Sequence, residues 1–269
     1  RQIKPDVIHA HIINHYGLMA LFQKTPLVIA IWGSEVMIAL NSKNYFKRAF
    51  FKVISFLVAS KASEIHTSSA HIKAEMNRHF NDRVTSKIKT FYWGFPVSAP
   101  TLELKQELNT NLLNEFNIPS SNLLVFTRGL APTYNPELMA KIIKRLLESK
   151  IPFPIVVLKG FSTDEQIETF KNMLAKKWED IIFIDRLLSS EELHCLYSHT
   201  KFHFSVPYSD ALGGGVIEPV QLGSIPILSN IPPYREYIQN NEGFILQDDS
   251  NASMNSLDEF ISLSDDNKK

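Results

Sequence analysis

The sequence lacks the features that mark several common classes of protein. Cysteine occurs once in 269 residues, at Cys195. That excludes an internal disulfide framework and fits a reducing compartment. No CxxC pair or His/Cys cluster marks structural zinc, and no metal ligands are expected. No apolar run approaches the ~18 residues that span a bilayer. An excess of one charge is also missing. Lysine plus arginine number 28, and aspartate plus glutamate number 28, for a formal net charge of zero. The chain as a whole therefore has no field to draw it to nucleic acid or an acidic membrane, although local patches stay open. No strand leads into Gly-x-Gly-x-x-Gly, which argues against a dehydrogenase. No initiating methionine or leader-like segment precedes the opening Arg1-Gln-Ile-Lys-Pro-Asp6, which runs straight into a strand. The expectation is a cytoplasmic protein whose natural N-terminus is absent.

What is present is ordinary globular composition, 44% hydrophobic and 21% charged, at a length suited to two domains. Strands and helices alternate. Residues 7–11, 26–32, 62–68 and 87–92 read as strands, with helices near 17–23, over 45–61 and from Ala70, the last capped by Ser69. After a polar, proline-broken stretch over 97–120, strands are expected at 122–127, 155–158, 181–184, 202–206, 225–228 and 243–246. The intervening helices fall at 136–149, 163–177, 190–199 and 232–239. Cys195 lies in the third of these, where a packed thiol is expected. The alternation predicts parallel α/β layers in two domains, 1–105 and 106–269, the second a nearly complete doubly wound domain. The tail from Gln247 is acidic and rich in serine and asparagine, with a short apolar stretch from Leu257.

The most informative segment runs from Val206 to Leu228. Asp210 and Glu218 flank three consecutive glycines, Gly213, Gly214 and Gly215, at the start of a helix. Glycines let backbone N–H groups approach a ligand closely, and the helix N-terminus favours a phosphate. A carboxylate accepts two hydrogen bonds from a vicinal diol. A diphosphate flanked by diols is a nucleotide-sugar.

That segment resembles the donor motif of retaining glycosyltransferases of the GT-B fold, family 4, in which two acids are separated by seven residues that include glycine. Gly223 and Pro226 fit the strand that follows. The first acid is usually glutamate, so Asp210 is a departure. The resemblance covers nearly the whole chain and implies two Rossmann-like domains facing a cleft, the first incomplete. It assigns Asp210 to the hexose hydroxyls as a catalytic and donor-binding candidate, Glu218 to the ribose diol, and Leu212 and Gly213 to Gly215 to donor binding.

Other elements extend the resemblance. Thr127-Arg-Gly129 is similar to a Gly-Arg element whose arginine pairs with the diphosphate, so Arg128 is both a donor-binding and a catalytic candidate. A lysine usually follows about five residues later. None occurs in Leu130–Asn135, and Lys159 is the substitute considered. Asp6-Val-Ile-His-Ala-His11 resembles an element whose second histidine lies near the donor hexose, which makes His11 a catalytic candidate. His9 shares its face by strand alternation. Gly33 and Glu35, in Trp32-Gly-Ser-Glu35, are acceptor-side candidates, with helix capping by Ser34 and Glu35 as the competing explanation. Gly94 is expected in a turn at the domain junction, and Glu236 matches a common acid after the strand, with a helix-cap or surface role as the alternative. The phenylalanine-rich, basic segment from Phe46 to Lys61 suits either a membrane surface or a buried helix.

The implied activity is metal-independent transfer, with retention, of a hexose-type sugar from a UDP- or GDP-sugar to a glycan or lipid-linked acceptor in bacterial surface polysaccharide biosynthesis. No bound cofactor beyond the donor is expected, and no nucleic-acid partner. The alternatives are a non-catalytic or truncated relative and a nucleotide-sugar epimerase.

Overall fold

The computed structural model describes residues 3–91, 94, 111–119, 122–211, 213–238, 243–246 and 257. The chain divides into two compact units, one of Arg1–Gly94 with Ser209–Leu212, the other of Phe95–Tyr208 with Gly213–Lys269. The expected boundary near residue 105 lies outside the described residues.

The first unit is built on a parallel sheet of β1 (Ile8–His11), β2 (Leu27–Ile31), β3 (Glu64–Thr67) and β4 (Ile88–Thr90), in that order. Four of the five residues of β2 are buried, as a parallel strand covered on both faces requires. Around the sheet lie α1 (Gly17–Ala20), α2 (Ser34–Met37), α3 (Tyr45–Lys61), α4 (Ala70–His79) and α5 (Asp82–Thr85). Asn44 caps α3 by accepting the Lys47 N–H, and Ser69 caps α4 by accepting the His71 N–H. The C-terminal end of α3 is closed by Lys87, whose ammonium donates to the carbonyls of Ala59, Ser60 and Ala62 at 3.2, 2.7 and 2.7 Å. A cation there answers both the unpaired carbonyls and the negative end of the helix dipole.

One segment departs from expectation. In place of a plain helix near 17–23, the chain leaves β1 through a π-helical turn, Ile12–Tyr16, and only then forms the short α1. The turn begins with Ile12 at φ 74°, a conformation that a β-branched residue adopts only under constraint. The constraint is packing. Ile13 is fully buried, and the buried Asn14 accepts the Ser55 hydroxyl of α3 at 2.7 Å.

The second unit holds β5 (Leu123–Phe126), β6 (Ile155–Leu158), β7 (Ile182–Ile184), β8 (Thr200–Ser205), β9 (Ile225–Ser229) and β10 (Phe244–Leu246) in a six-stranded parallel sheet ordered β10-β9-β8-β5-β6-β7. The order reverses between β5 and β8. That is the switch point of a doubly wound sheet, where ligands bind beyond the carboxyl ends of the strands. Its helices are α6 (Pro136–Glu148), α7 (Asp164–Leu174), α8 (Ser190–Ser198), α9 (Gly214–Gln221) and α10 (Pro232–Tyr237). Capping boxes start α7, from Thr163 and Gln166, and α8, from Ser189 and Glu192. The helix expected to run to 177 stops at Leu174. Ala175 there turns to φ 52° and the chain continues as a 3-10 helix, with Trp178 against Phe183 at 4.8 Å between ring centroids.

Every residue of β5 and β6 is buried. Along β8 the side chains alternate. Phe202 and Phe204 enter one core, where Phe204 stacks on Phe126 at 4.7 Å, and His203 and Ser205 face the other side of the sheet. That second layer holds Val125, Val156, Leu196 and Cys195, so the thiol is fully buried as expected. Leu257 is buried in the first core, and the rest of the tail lies outside the described residues. Arg186, past the end of β7, grips Glu115 at 2.8 Å through Nε and Glu192 at 2.6 Å through Nη2, which joins the helical residues 111–115 to the start of α8.

His203 is fully buried. Its Nδ1 shares a 2.9 Å hydrogen bond with Ser224 Oγ, and its Nε2 has no partner. Burial, then the positive charge of Arg128, depress its pKa to about 3 from the ordinary 6.5. The folded protein keeps this imidazole neutral, whereas the unfolded chain takes up a proton near pH 6.5. Stability from this group is therefore complete above pH 6.5 and is lost as pH falls from there toward 3, by up to about 1.4 kcal/mol per pH unit. Denaturant unfolding of the wild type and of His203→Gln across that window should show a shallower acid loss in the variant. Parallel curves would show that His203 titrates normally.

Candidate donor-binding site

The site in the second unit begins where β5 ends. Thr127 and Arg128 leave the sheet at the switch point, and α9 starts opposite them. Pro219, inside α9, has no N–H to give the carbonyl of Gly215 four residues earlier. The Thr127 hydroxyl takes that place, donating to the Gly215 oxygen at 2.7 Å. A side chain from the sheet thus completes the helix and fixes its first turn against the strand.

Arg128 lies along the same seam. A Cβ on Gly213 would meet its Nη2 at 3.0 Å and Nη1 at 3.2 Å, so glycine lets the guanidinium approach the helix start more closely than a side chain would. Arg128 Nε donates to Ser205 Oγ at 3.3 Å, which pairs with the Tyr234 hydroxyl at 2.7 Å. The ring of Tyr134 stands 5.5 Å from the guanidinium carbon. Tyr134 belongs to the 3-10 turn Pro132–Tyr134, within the stretch that has no lysine.

Glu218 is one turn further along α9. Its carboxylate faces His194 Nε2 of α8 at 3.4 Å. Tyr197, one helical turn after His194, is fully buried, and its hydroxyl pKa is pushed up by burial and then by the Glu218 charge, with Arg128 opposing. His194 and Tyr197 are the residues that sequence reasoning missed. Their spacing of three on α8 was visible, but nothing local shows which helix α8 packs against.

Arg128, Arg186, Gly215, Glu218 and Tyr197 border a hollow of about 300 Å³ together with apolar residues that include Leu158, Leu187 and Leu188. A larger hollow of about 550 Å³ adjoins α6 and α7, but its charged residues are Glu137 and Glu165. An anion is repelled there and attracted beside Arg128. Two loops approach closely beside the smaller hollow, which Gly160 borders. A Cβ on Gly129 would meet the Lys159 carbonyl at 2.7 Å, and Gly160, at φ 54°, lies 3.2 Å from the Gly129 Cα by the same measure. Ser162 locks the two loops by accepting the Leu130 N–H at 2.6 Å and donating to the Lys159 carbonyl at 2.5 Å.

Of the sequence candidates in this unit, the structure brings together Arg128, Gly213, Gly215 and Glu218, with Gly214 as the first residue of α9. The Lys159 ammonium is 4.0 Å from exposed Asp164, and the residue does not border the hollow. Leu212 lies outside the described residues.

The remaining candidates, Glu236 apart, belong to the first unit. His11 Nδ1 accepts the Trp32 indole N–H at 3.1 Å, so the neutral ring carries its proton on Nε2. His9 lies 4.5 Å from His11 and 6.1 Å from His66 between ring centroids, on the shared face that strand alternation requires. Its pKa is lowered by burial and then by these two neighbours. Glu35 is 4% exposed, and its carboxylate accepts the N–H groups of Trp32 at 2.8 Å and Gly33 at 2.9 Å. Burial pushes its pKa up against those bonds. Glu35 therefore serves the turn, with Gly33 at φ 120° in the cap position that was expected for Ser34. Asp210 accepts the N–H of Ala211 at 2.8 Å, and the Ala211 carbonyl accepts the Ser68 hydroxyl at 2.5 Å. Glu236 lies in α10. Gly94 has open space around it, and its neighbours lie outside the described residues. Among the described residues no group of three or more His, Cys, Asp or Glu could hold a metal ion.

The sequence profile of the family described as glycosyl transferases group 1 matches residues 110–269. The chain belongs to the group 1 glycosyl transferases. A second profile, glycosyl transferase 4-like, matches residues 1–69 of this group 1 chain. Among solved structures, HepE of Anabaena in complex with UDP-glucose is similar at a TM-score of 0.72 and 12% identity, over 97% of this chain and 70% of that one. Sucrose-phosphate synthase from Thermosynechococcus elongatus is similar at 0.70 and 14%, over 96% and 65%. The catalytic domain of starch synthase IV from Arabidopsis thaliana, bound to ADP and acarbose, is similar at 0.71 and 15%, over 97% and 66%. At these identities the likeness establishes the GT-B fold. No curated protein matches the sequence.

Replacing Thr127 with valine leaves the Gly215 carbonyl without its partner in a nearly isosteric site. Denaturant unfolding should show a loss of about 1–3 kcal/mol, largely restored in Thr127→Ser. Equal stability of wild type and Thr127→Val would remove the seam from the account.

Proposed function

We propose that this group 1 glycosyl transferase moves a hexose-type sugar from a UDP- or GDP-sugar to a hydroxyl of a glycan or lipid-linked acceptor, in the building of a surface polysaccharide. The observation that carries the reading is the Arg128 guanidinium lying on Gly213 at the start of α9, with Glu218 on the same hollow. A diphosphate placed there meets a fixed cation and the N-terminal N–H groups of α9. The ribose diol donates to Glu218, which His194 holds in place, and the base enters among the leucines. The relatives solved with UDP-glucose and with ADP support a nucleotide in this kind of fold.

In the proposed reaction the bond from the anomeric carbon to the diphosphate oxygen breaks, and its electron pair stays on that oxygen. Arg128 and the α9 dipole stabilise the charge that develops, without a metal. The acceptor oxygen bonds to the anomeric carbon on the face the diphosphate leaves, so configuration is retained. The acceptor proton passes to the departing diphosphate. His11, held by Trp32 with its proton on Nε2, is assigned to a sugar hydroxyl, and Asp210 to the hexose. A second reading, a relative that binds nucleotide without turnover, is favoured by the missing lysine and by the pairing of Lys159 with Asp164.

Calorimetric titration with UDP, GDP and ADP tests the site. One nucleotide should bind in preference. Affinity should fall on the order of tenfold to hundredfold in Glu218→Ala, and about threefold to tenfold in His194→Ala. Unchanged affinity in Glu218→Ala sinks the assignment. Nucleotide binding without sugar release from any donor supports the second reading.

A further inference from the structure

Helix α3 presents an apolar stripe outward. Phe46, Phe50, Val53 and Leu57 follow at spacings of four, three and four residues, which places them on one face. They are 82%, 60%, 59% and 46% exposed. The opposite face, with Ile54, Ser55, Val58 and Ala59, is buried against the first unit, so the helix does not need the outer stripe in order to fold. Tyr45 and Phe56 widen the exposed face. Beside it, Val53, Phe56, Leu57 and Phe80 line a groove of about 470 Å³.

The charges flanking this stripe are all of one sign. Lys47 and Lys61 lie to one side of it, and Arg48 and Lys52 to the other, all exposed, and the helix contains no acidic residue. In a chain of zero net charge this is a local concentration of cation around exposed phenylalanine. A second protein surface of ordinary composition would leave four cations to be matched one by one. A layer of anionic headgroups over hydrocarbon matches both features at once, with the phenylalanines entering the acyl boundary and the long cationic side chains reaching up to phosphate. No helix among the described residues is long and apolar enough to cross a membrane, so contact of this kind lies along the surface.

We propose that the outer face of α3 binds the surface of an anionic phospholipid membrane. This stands on the helix alone and does not depend on the transfer reading. Cosedimentation of the full chain with vesicles of phosphatidylcholine, and of equal parts phosphatidylcholine and phosphatidylglycerol, tests it. Binding is expected to the anionic vesicles only and to weaken with added salt. Arg48→Gln and Lys52→Gln should each lose about fivefold in partitioning. The double variant Phe46→Glu, Phe50→Glu should abolish binding. Both positions are exposed, so its thermal unfolding should match the wild type, which separates lost binding from lost folding. Binding to neither vesicle, or equal binding to both, overturns the proposal. So does absent vesicle binding together with a dimer in sedimentation that the double variant converts to monomer, which would make the stripe a contact between copies of this chain.

Discussion

The second unit depends on one hydrogen bond that a proline makes necessary. Pro219 deprives the first turn of α9 of a backbone donor, and the Thr127 hydroxyl supplies one from the end of β5. The helix start therefore belongs to the sheet as much as to the helix. Because its position is fixed, the next residue along the strand, Arg128, can lie on Gly213 with nothing between them. Each further contact secures the arrangement. Ser205 and Tyr234 hold the arginine from the side of β8 and α10, and Tyr134 covers it from the turn after β5. A guanidinium held from three directions has little freedom left to lose when an anion arrives, which is the physical content of preorganisation.

Much of this was legible in the sequence. The parallel α/β layers follow from short apolar, β-branched runs such as Leu27–Ile31 and Ile155–Leu158, because a strand covered on both faces has no room for alternation. The glycine run and its two flanking acids marked the start of α9, and Arg128 was found because Thr127-Arg-Gly129 at the end of a strand resembles the family's Gly-Arg element. What escaped were partners brought together by tertiary packing. His194 and Tyr197 read as ordinary members of an amphipathic helix, and only the docking of α8 on α9 brings them to Glu218. Tyr134 sits in a turn whose sequence shows only that a lysine is missing. The π-helical turn after β1 was also invisible, since Ile12 has no propensity for its conformation and is held there by the burial of Ile13 and Asn14.

The first unit shows how a charged residue in a ligand-like motif can be taken up by the backbone. Glu35 comes two residues after a glycine at the end of a buried strand, where the sequence offered an acceptor-binding acid with a helix cap as the stronger competing explanation. Once the carboxylate is buried it must find donors, and the nearest are the N–H groups that Gly33, at φ 120°, turns toward it. Trp32 goes the other way. Its indole stays half exposed and its N–H fixes the tautomer of His11. Glu35 and Trp32 are thus divided between holding the loop and holding the histidine.

The contact between Gly129 and Gly160 limits how this protein could change its ligand over evolutionary time. Two loops that touch backbone to backbone, with a serine bonded to both, behave as one mechanical part. Neither can be lengthened or given a side chain at that point without displacing the other, and Arg128 with it. Under the proposed donor reading, change in what is recognised falls more easily on the leucines of the hollow, Leu187 and Leu188, whose side chains meet no such backbone contact. If the proposed donor sits there, the part that would grip its charge is the part that selection can least rebuild.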